Sequence, residues 1–224
     1  MPLLKANQLE SYFVAGTQDL ATEQTLPHLL EAAIQAGITA FQYREKGRGS
    51  LQTPSAIHEM ALRLQSICHK NGVLFIINDD LELALSIQAD GVHVGQNDQK
   101  IQTVIEKAAG QLIIGLSCHH SAEIQVANQY PEISYIGVGP VFNTNSKDDA
   151  KAPLGVTRLH ELADVSNKPV VAIGGLNTQN ILAINPEKIT GLAIISTITQ
   201  AKDLNETVRL LREPFNHSSD FPLQ

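Results

Sequence analysis

Asp79 and Asp98 each follow a short apolar run, Phe75-Ile76-Ile77 in one case and Gly91-Val92-His93-Val94 in the other. Between the two, Leu81, Leu83, Ala84, Leu85 and Ile87 make an apolar pattern of helix length. Consecutive buried strands joined by a helix run parallel, so their carboxyl ends lie on one side of the sheet. The two carboxylates then face a common cleft, where they repel each other unless a cation or a basic group sits between them. A hard divalent cation such as Mg²⁺ suits a place with only oxygen ligands, above all one shared with substrate phosphates. Taken singly, either aspartate could instead cap the helix that follows it.

Basic residues lie on the preceding strand, Ile38 to Lys46. Its alternation puts Gln42, Arg44 and Lys46 on one face and Phe41, Tyr43 and Glu45 on the other. Arg44 offers a planar fork of donors and Lys46 a compact point charge. A buried cation without a partner is too unfavourable to be accidental, so this face points to an anionic ligand.

The elements that must position these groups can be read along the chain. Strands are expected at Ser11–Ala15, Ile38–Lys46, around Phe75, around Gly91, and at Leu112–Cys118, Tyr135–Phe142, Pro169–Ile173 and Gly191–Thr197. Gly137 and Gly139 share one face of the sixth, leaving room for a ligand or for close packing. Helices are expected at Pro27–Ala36, Pro54–Asn71, after Asp79, at Ile101–Ala109, Ser121–Gln129, Gly155–Ala163, Thr178–Ile184 and Leu204–Arg212. Eight such alternating units in 224 residues, with no shift of composition between them, fit a single (β/α)₈ TIM barrel over residues 1–213. Residues 214–224 are polar and expected to be a flexible tail. The rival is a doubly wound open sheet, but no G-x-G-x-x-G opens the first helix.

Composition narrows the classes further. Hydrophobic content of 43% and charged content of 17% suit a soluble globular protein. A net charge of −7 argues against a general nucleic-acid binder. No apolar run approaches a membrane span, and Met1 to Lys5 lacks a signal-peptide pattern. Cys68 and Cys118 have no metal-type spacing; read as free buried thiols, they place the protein in the cytoplasm. Oligomeric state is left open, a homo-oligomer included.

In a barrel the strand ends carry the chemistry. Here they hold Gln42 to Lys46, Asn78-Asp79, Asp98, Ser117 with His119, Asn143 to Lys147, Gly174-Gly175 and Ser196. Gly174-Gly175 and Ser196 follow the seventh and eighth strands, where loop amides commonly bind a phosphate. The plainer alternatives are a tight turn and an N-cap. Two anion sites result: one for a monophosphate, the other for a diphosphate with Mg²⁺ between the second, third and fourth strands. An isomerase of one phosphorylated sugar needs only the first, so the second points to a reaction in which diphosphate leaves. His93, between two valines, reads as an interior histidine with a hydrogen-bonded ring. His119 could face the cleft and His120 could begin a helix. Ser117 lacks the surroundings of a hydrolase nucleophile.

The segments FQYREKG, INDD, GVHVGQND, GLSCH, VGPVFNTNSK, VAIGG and AIIST, in this order from about Tyr12 to Leu211, resemble the thiamine-phosphate synthase family. The resemblance implies a transferase barrel that joins hydroxymethylpyrimidine diphosphate to thiazole phosphate, releasing pyrophosphate and using Mg²⁺. Gln42, Arg44, Lys46 and Asn78, with the neighbours Tyr43 and Glu45, would contact the pyrimidine diphosphate. Ser117 would hold the aminopyrimidine, and Asp79 and Asp98 the metal. Thr144, Asn145, Ser146, Gly175, Ile195 and Ser196 would hold the thiazole phosphate, and Lys147 would reach the pyrophosphate. Arg44, Lys46, Ser117 and Lys147 are the implied catalytic set. Asn143 departs from the family's usual proline. The related thiazole tautomerases can lack the acidic pair, which this chain keeps; a non-catalytic phosphate-ligand sensor is the other alternative. The polar stretch 143–153 is expected to close over the site as a lid.

Overall fold

Apolar strands of four to six residues bury little on their own, and here they bury it by closing on one another. In a computed structural model that describes residues 3–144, 146 and 152–215, eight parallel strands pair in sequence order. The eighth pairs back to the first, which excludes the open sheet. The strands are β1 (Ser11–Ala15), β2 (Ala40–Tyr43), β3 (Leu74–Asn78), β4 (Gly91–Val94), β5 (Ile113–Cys118), β6 (Ile133–Val138), β7 (Val170–Ile173) and β8 (Gly191–Ile194). The helices are α1 (Leu26–Ala36), α2 (Pro54–Lys70), α3 (Leu81–Ser86), α4 (Ile101–Ala108), α5 (Ser121–Asn128), α6 (Val156–Val165), α7 (Ser196–Thr199) and α8 (Leu204–Arg212). This is the expected (β/α)₈ barrel.

Alternation along each strand feeds two separate cores. Outward-facing Phe13, Phe41 and Phe75 lie in matched register on β1, β2 and β3. Their ring centroids are 5.3 and 6.2 Å apart, and they share a core with Leu29, Leu30 and Ala33 of α1. Inward-facing Tyr12, Ala40 and Leu74, the next register layer, fill the barrel with Val14, Ile76 and Tyr135. Local signals place the helices: Pro27 sits in the first turn of α1, and Gly37 at φ 108° ends it.

Three differences from the sequence reading have physical causes. β2 stops at Tyr43 instead of Lys46, because β1 ends at Ala15; the last bond there is Arg44 N–H to the Ala15 carbonyl, 3.0 Å. Arg44, Glu45 and Lys46 therefore stand on the rim. Between β7 and β8 a single 3₁₀ turn, Asn180–Ala183, replaces the expected helix. Only Ile181 and Ile184 are buried there and Leu182 is 76% exposed, so no apolar stripe can dock a longer helix. Finally, the barrel does not end at residue 213: residues 213–215 continue as a helical turn, and Phe215, 7% exposed, packs into the outer core. The rest of the expected tail, residues 216–224, lies outside the described residues. Phe215→Ala is expected to destabilise the fold by about 3 kcal/mol. The readout is a lower urea midpoint at constant slope, and an unchanged midpoint would return Phe215 to the tail.

Candidate active site

Three strand ends bring one ammonium and two carboxylates together. Lys46 Nζ, on the rim beyond β2, lies 2.8 Å from Asp79 Oδ2 and 3.7 Å from Asp98 Oδ1. Neither aspartate caps a helix. Asp80 caps α3, accepting from Leu83 N–H at 2.9 Å, and Lys100 stands at the N-cap of α4. Asp98 Oδ2 accepts from Gly95 N–H at 2.8 Å and closes the turn after β4. Asp79 itself is in the left-handed region at φ 62°, a conformation that costs a non-glycine residue about 1 kcal/mol or more. A bond from its N–H to the His93 carbonyl, 2.8 Å, holds it there. Burial pushes the Asp79 carboxyl above its ordinary range; Lys46 pulls it down and the Asp98 charge pushes it up again. The hydrogen bond to Asp79 in turn raises Lys46.

The remaining residues of the Gln42–Lys46 run separate by alternation. Arg44 lines the cleft, 6% exposed, and forms no ion pair among the described residues. Gln42 is inside the barrel beneath the cleft, where its Nε2 donates to Tyr12 Oη at 2.7 Å. Tyr43 and Glu45, expected at the ligand, do not line the cleft. Tyr43 packs in the outer core, and burial followed by the Glu45 charge pushes its phenol up. Glu45 accepts from Leu51 N–H at 2.6 Å, from Thr17 N–H at 3.2 Å and from the Thr17 hydroxyl. It thus ties the loop after β2 to the loop after β1.

Across the cleft stand Asn78 at the end of β3 and Ser117 on β5. Ser117 Oγ is 2.9 Å from His93 Nε2, and its carbonyl accepts from Gln96 Nε2 at 2.7 Å. The ring of His93 is hydrogen-bonded, as read from the sequence, yet it also lines the cleft. His119 lines it too, and its Nδ1 is 2.7 Å from the Gly139 carbonyl. A carbonyl can only accept, so the proton is on Nδ1 and Nε2 is the acceptor of the neutral ring. His120 caps α5. The sequence reading missed Gln96 and Asn97 as cleft residues, although the rule that strand ends carry chemistry would have found both after β4.

The loops after β6 and β7 lie against each other. Val141 N–H bonds the Ile173 carbonyl at 2.9 Å, and Phe142 N–H bonds the Gly174 carbonyl at 3.0 Å. Gly174 and Gly175 have φ of 98° and 65°, and a Cβ on Gly175 would overlap the Asn143 carbonyl. This crossing is closer than a simple tight turn. It sets Thr144 and Ser146 beside Gly175, Ile195 and Ser196 around the same cleft, a cavity of about 250 Å³. Ser196 opens α7 but is not its cap, since Ile195 holds that position. Asn145 and Lys147, and most of the expected lid, lie outside the described residues.

An Mg²⁺ ion fits the acidic pair. Two converging carboxylates whose mutual repulsion is now offset by an ammonium supply hard oxygen ligands. Among the described residues no group of three or more His, Cys, Asp or Glu could hold a metal, so substrate oxygens and water would have to complete the shell.

A sequence model of the family described as thiamine monophosphate synthase matches residues 11–198. The thiamine-phosphate synthase of Latilactobacillus sakei is 48% identical over 210 residues, which cover 94% of this chain and 93% of the relative. That of Listeria welshimeri is 51% identical over 197 residues, 88% and 94% of the two chains. Among solved structures, a thiamine phosphate pyrophosphorylase from Pyrococcus furiosus superposes with a TM-score of 0.83 at 27% identity, covering 96% of this chain and 98% of its own. The 3-hexulose-6-phosphate synthase of Salmonella typhimurium, TM-score 0.67 at 16% identity, shares the fold alone.

Proposed function

The chain belongs to the thiamine monophosphate synthase family, and from that premise we infer that the cleft with Arg44, Lys46, Asp79 and Asp98 is where its reaction takes place. The activity is that of a transferase, joining hydroxymethylpyrimidine diphosphate to thiazole phosphate to give thiamine monophosphate and pyrophosphate. The observation that carries the assignment of the site is Lys46 held between two carboxylates beside a buried Arg44 that forms no ion pair among the described residues. Such a cluster has cationic groups ready for a diphosphate and acidic groups ready for a metal.

In the reaction the bond from the pyrimidine methylene carbon to the diphosphate oxygen breaks, and its electron pair leaves with pyrophosphate. The lone pair of the thiazole nitrogen forms the new carbon–nitrogen bond. Negative charge therefore grows on the leaving oxygen, and Arg44 and Lys46 would offset it. Mg²⁺ held by Asp79 and Asp98 would withdraw charge from the same diphosphate. Asn78 and Ser117 would orient the pyrimidine half. The thiazole phosphate would lie against the amides and hydroxyls of Thr144, Ser146, Gly175 and Ser196, with Ile195 beside it. Asn180 Nδ2 holds the Gly175 carbonyl at 2.8 Å, and Thr197 Oγ1 holds the Leu176 carbonyl at 2.6 Å, which keeps that cradle in shape. The two free, buried cysteines suit a cytoplasmic enzyme.

The test is pyrophosphate release by the full chain given both phosphorylated substrates, with and without Mg²⁺. Release that requires both substrates and the metal is expected. Binding of either substrate with no release under any condition would favour the sensor alternative.

A further inference from the structure

A hydrogen-bonded chain crosses the barrel interior and ends at Ser117. Gln42 Nε2 is 2.7 Å from Tyr12 Oη, which is 2.8 Å from Tyr135 Oη. Tyr135 Oη is 3.0 Å from His93 Nδ1, and His93 Nε2 is 2.9 Å from Ser117 Oγ. Tyr12 is 1% exposed, Tyr135 0% and Gln42 4%, so no bulk water competes for these bonds. The strands make room for the chain. A Cβ on Gly115 would collide with the Tyr135 ring and with His93 Nδ1, and one on Gly137 would lie 3.1 Å from His93 Cε1. Gly115 and Gly137 are thus needed for a particular pair of side chains.

We propose that Tyr12, Tyr135 and His93 are positioning residues, a one-way hydrogen-bond chain that fixes Ser117 as a donor toward an unprotonated ring nitrogen of the pyrimidine substrate. The direction follows from what each atom can do. The amide nitrogen of Gln42 can only donate, so Tyr12 accepts there, and the acceptor that its own buried proton meets among the described residues is Tyr135 Oη. Tyr135 in turn gives its proton to His93 Nδ1. In the neutral ring the proton of His93 is then on Nε2, where it is donated to Ser117 Oγ. The serine hydroxyl hydrogen is the one proton left over, and it points to the cleft. Burial keeps both phenols protonated across the physiological range. Run the other way, the chain would put the proton on Nδ1, consume the serine hydrogen and leave Ser117 only an acceptor. The tautomer of one histidine therefore reports how the substrate is read.

The identity of the ligand rests on the reading of the cleft given above; the direction of the chain does not. The test is nitrogen NMR of the full, ligand-free chain labelled at histidine, with His93 assigned from the spectrum of His93→Asn. The Nε2–H ring is expected in the wild type, and a mixture of tautomers in Tyr135→Phe. In the same variant, KM for the pyrimidine diphosphate should rise about tenfold while KM for the thiazole phosphate stays unchanged, a split that a loosened fold would not produce. Tyr12→Phe, which leaves the Tyr135–His93 bond in place, should show a smaller rise. A pyrimidine analogue with C–H in place of the ring nitrogen should bind about tenfold more weakly to the wild type and no more weakly than the parent to Tyr135→Phe. An Nδ1–H ring in the wild type, or an unchanged pyrimidine KM in Tyr135→Phe, would overturn the proposal. An Nε2–H ring in a chain that releases no pyrophosphate would overturn the catalytic reading and leave the chain's direction standing.

Discussion

Asp79→Asn is expected to lower kcat about a thousandfold while the barrel stays folded. Removing one negative charge from the pair would leave a bound metal with a single carboxylate ligand, and the stabilisation of the departing diphosphate would fall by about 4 kcal/mol. Asparagine is the right replacement because residue 79 is at φ 62°, which asparagine tolerates better than alanine. Asp98→Asn should behave alike: its amide oxygen can still accept from Gly95 N–H, so the turn after β4 survives the loss of charge. The measurements are steady-state pyrophosphate release at saturating substrates across an Mg²⁺ titration, and thermal unfolding of the same samples. Wild-type kcat at ordinary Mg²⁺ in both variants would reduce the two aspartates to anchors for Lys46.

Arg44→Ala should raise KM for the pyrimidine diphosphate about a hundredfold and leave KM for the thiazole phosphate nearly unchanged. The loss of charge-assisted, forked bonds to one substrate accounts for the asymmetry. Arg44→Lys should recover only part of it, since an ammonium offers a point charge and no fork. Stability should not suffer. The hydrogen bonds that hold residue 44 among the described residues come from its backbone: its N–H to the Ala15 carbonyl at 3.0 Å, and its carbonyl from Gln18 Nε2 at 2.7 Å. Equal losses for both substrates, or a lower melting temperature, would mean that the guanidinium serves the fold.

The strands could be read from apolar runs because a strand buried on both faces has little else in it. Ser11–Ala15 and Leu204–Arg212 end in the structure where their own residues say they should. β2 does not, because a strand can extend only as far as its neighbours accompany it, and Gln42 to Lys46 carry no mark of where β1 stops. Alternation, by contrast, was informative beyond the strand itself. It put Tyr43 and Glu45 on the face opposite Arg44, and neither of them lines the cleft. Phe215 was illegible for a different reason: a single aromatic among polar residues has no periodicity to display, and its burial depends on the distant outer core. The Gln42–Ser117 chain was hidden too, since its five members come from β1, β2, β4, β5 and β6 and meet only when the barrel closes.

The crossing between the loops after β6 and β7 has a consequence for how such chains can diverge. The two segments are laid together by Val141 N–H on the Ile173 carbonyl and Phe142 N–H on the Gly174 carbonyl, with no room for a side chain at Gly139 or Gly175. An inserted residue in either would lift one off the other and carry Thr144 and Ser146 away from Ser196. Lengths 139–143 and 173–176 should therefore be frozen in any descendant that keeps the phosphate cradle. Leu182 and Ala183, exposed and beyond the bond from Asn180 to the Gly175 carbonyl, are where insertions can accumulate. A library of single-residue insertions scored for thiamine-independent growth should show that contrast as a gap at the first two segments and tolerance at the third.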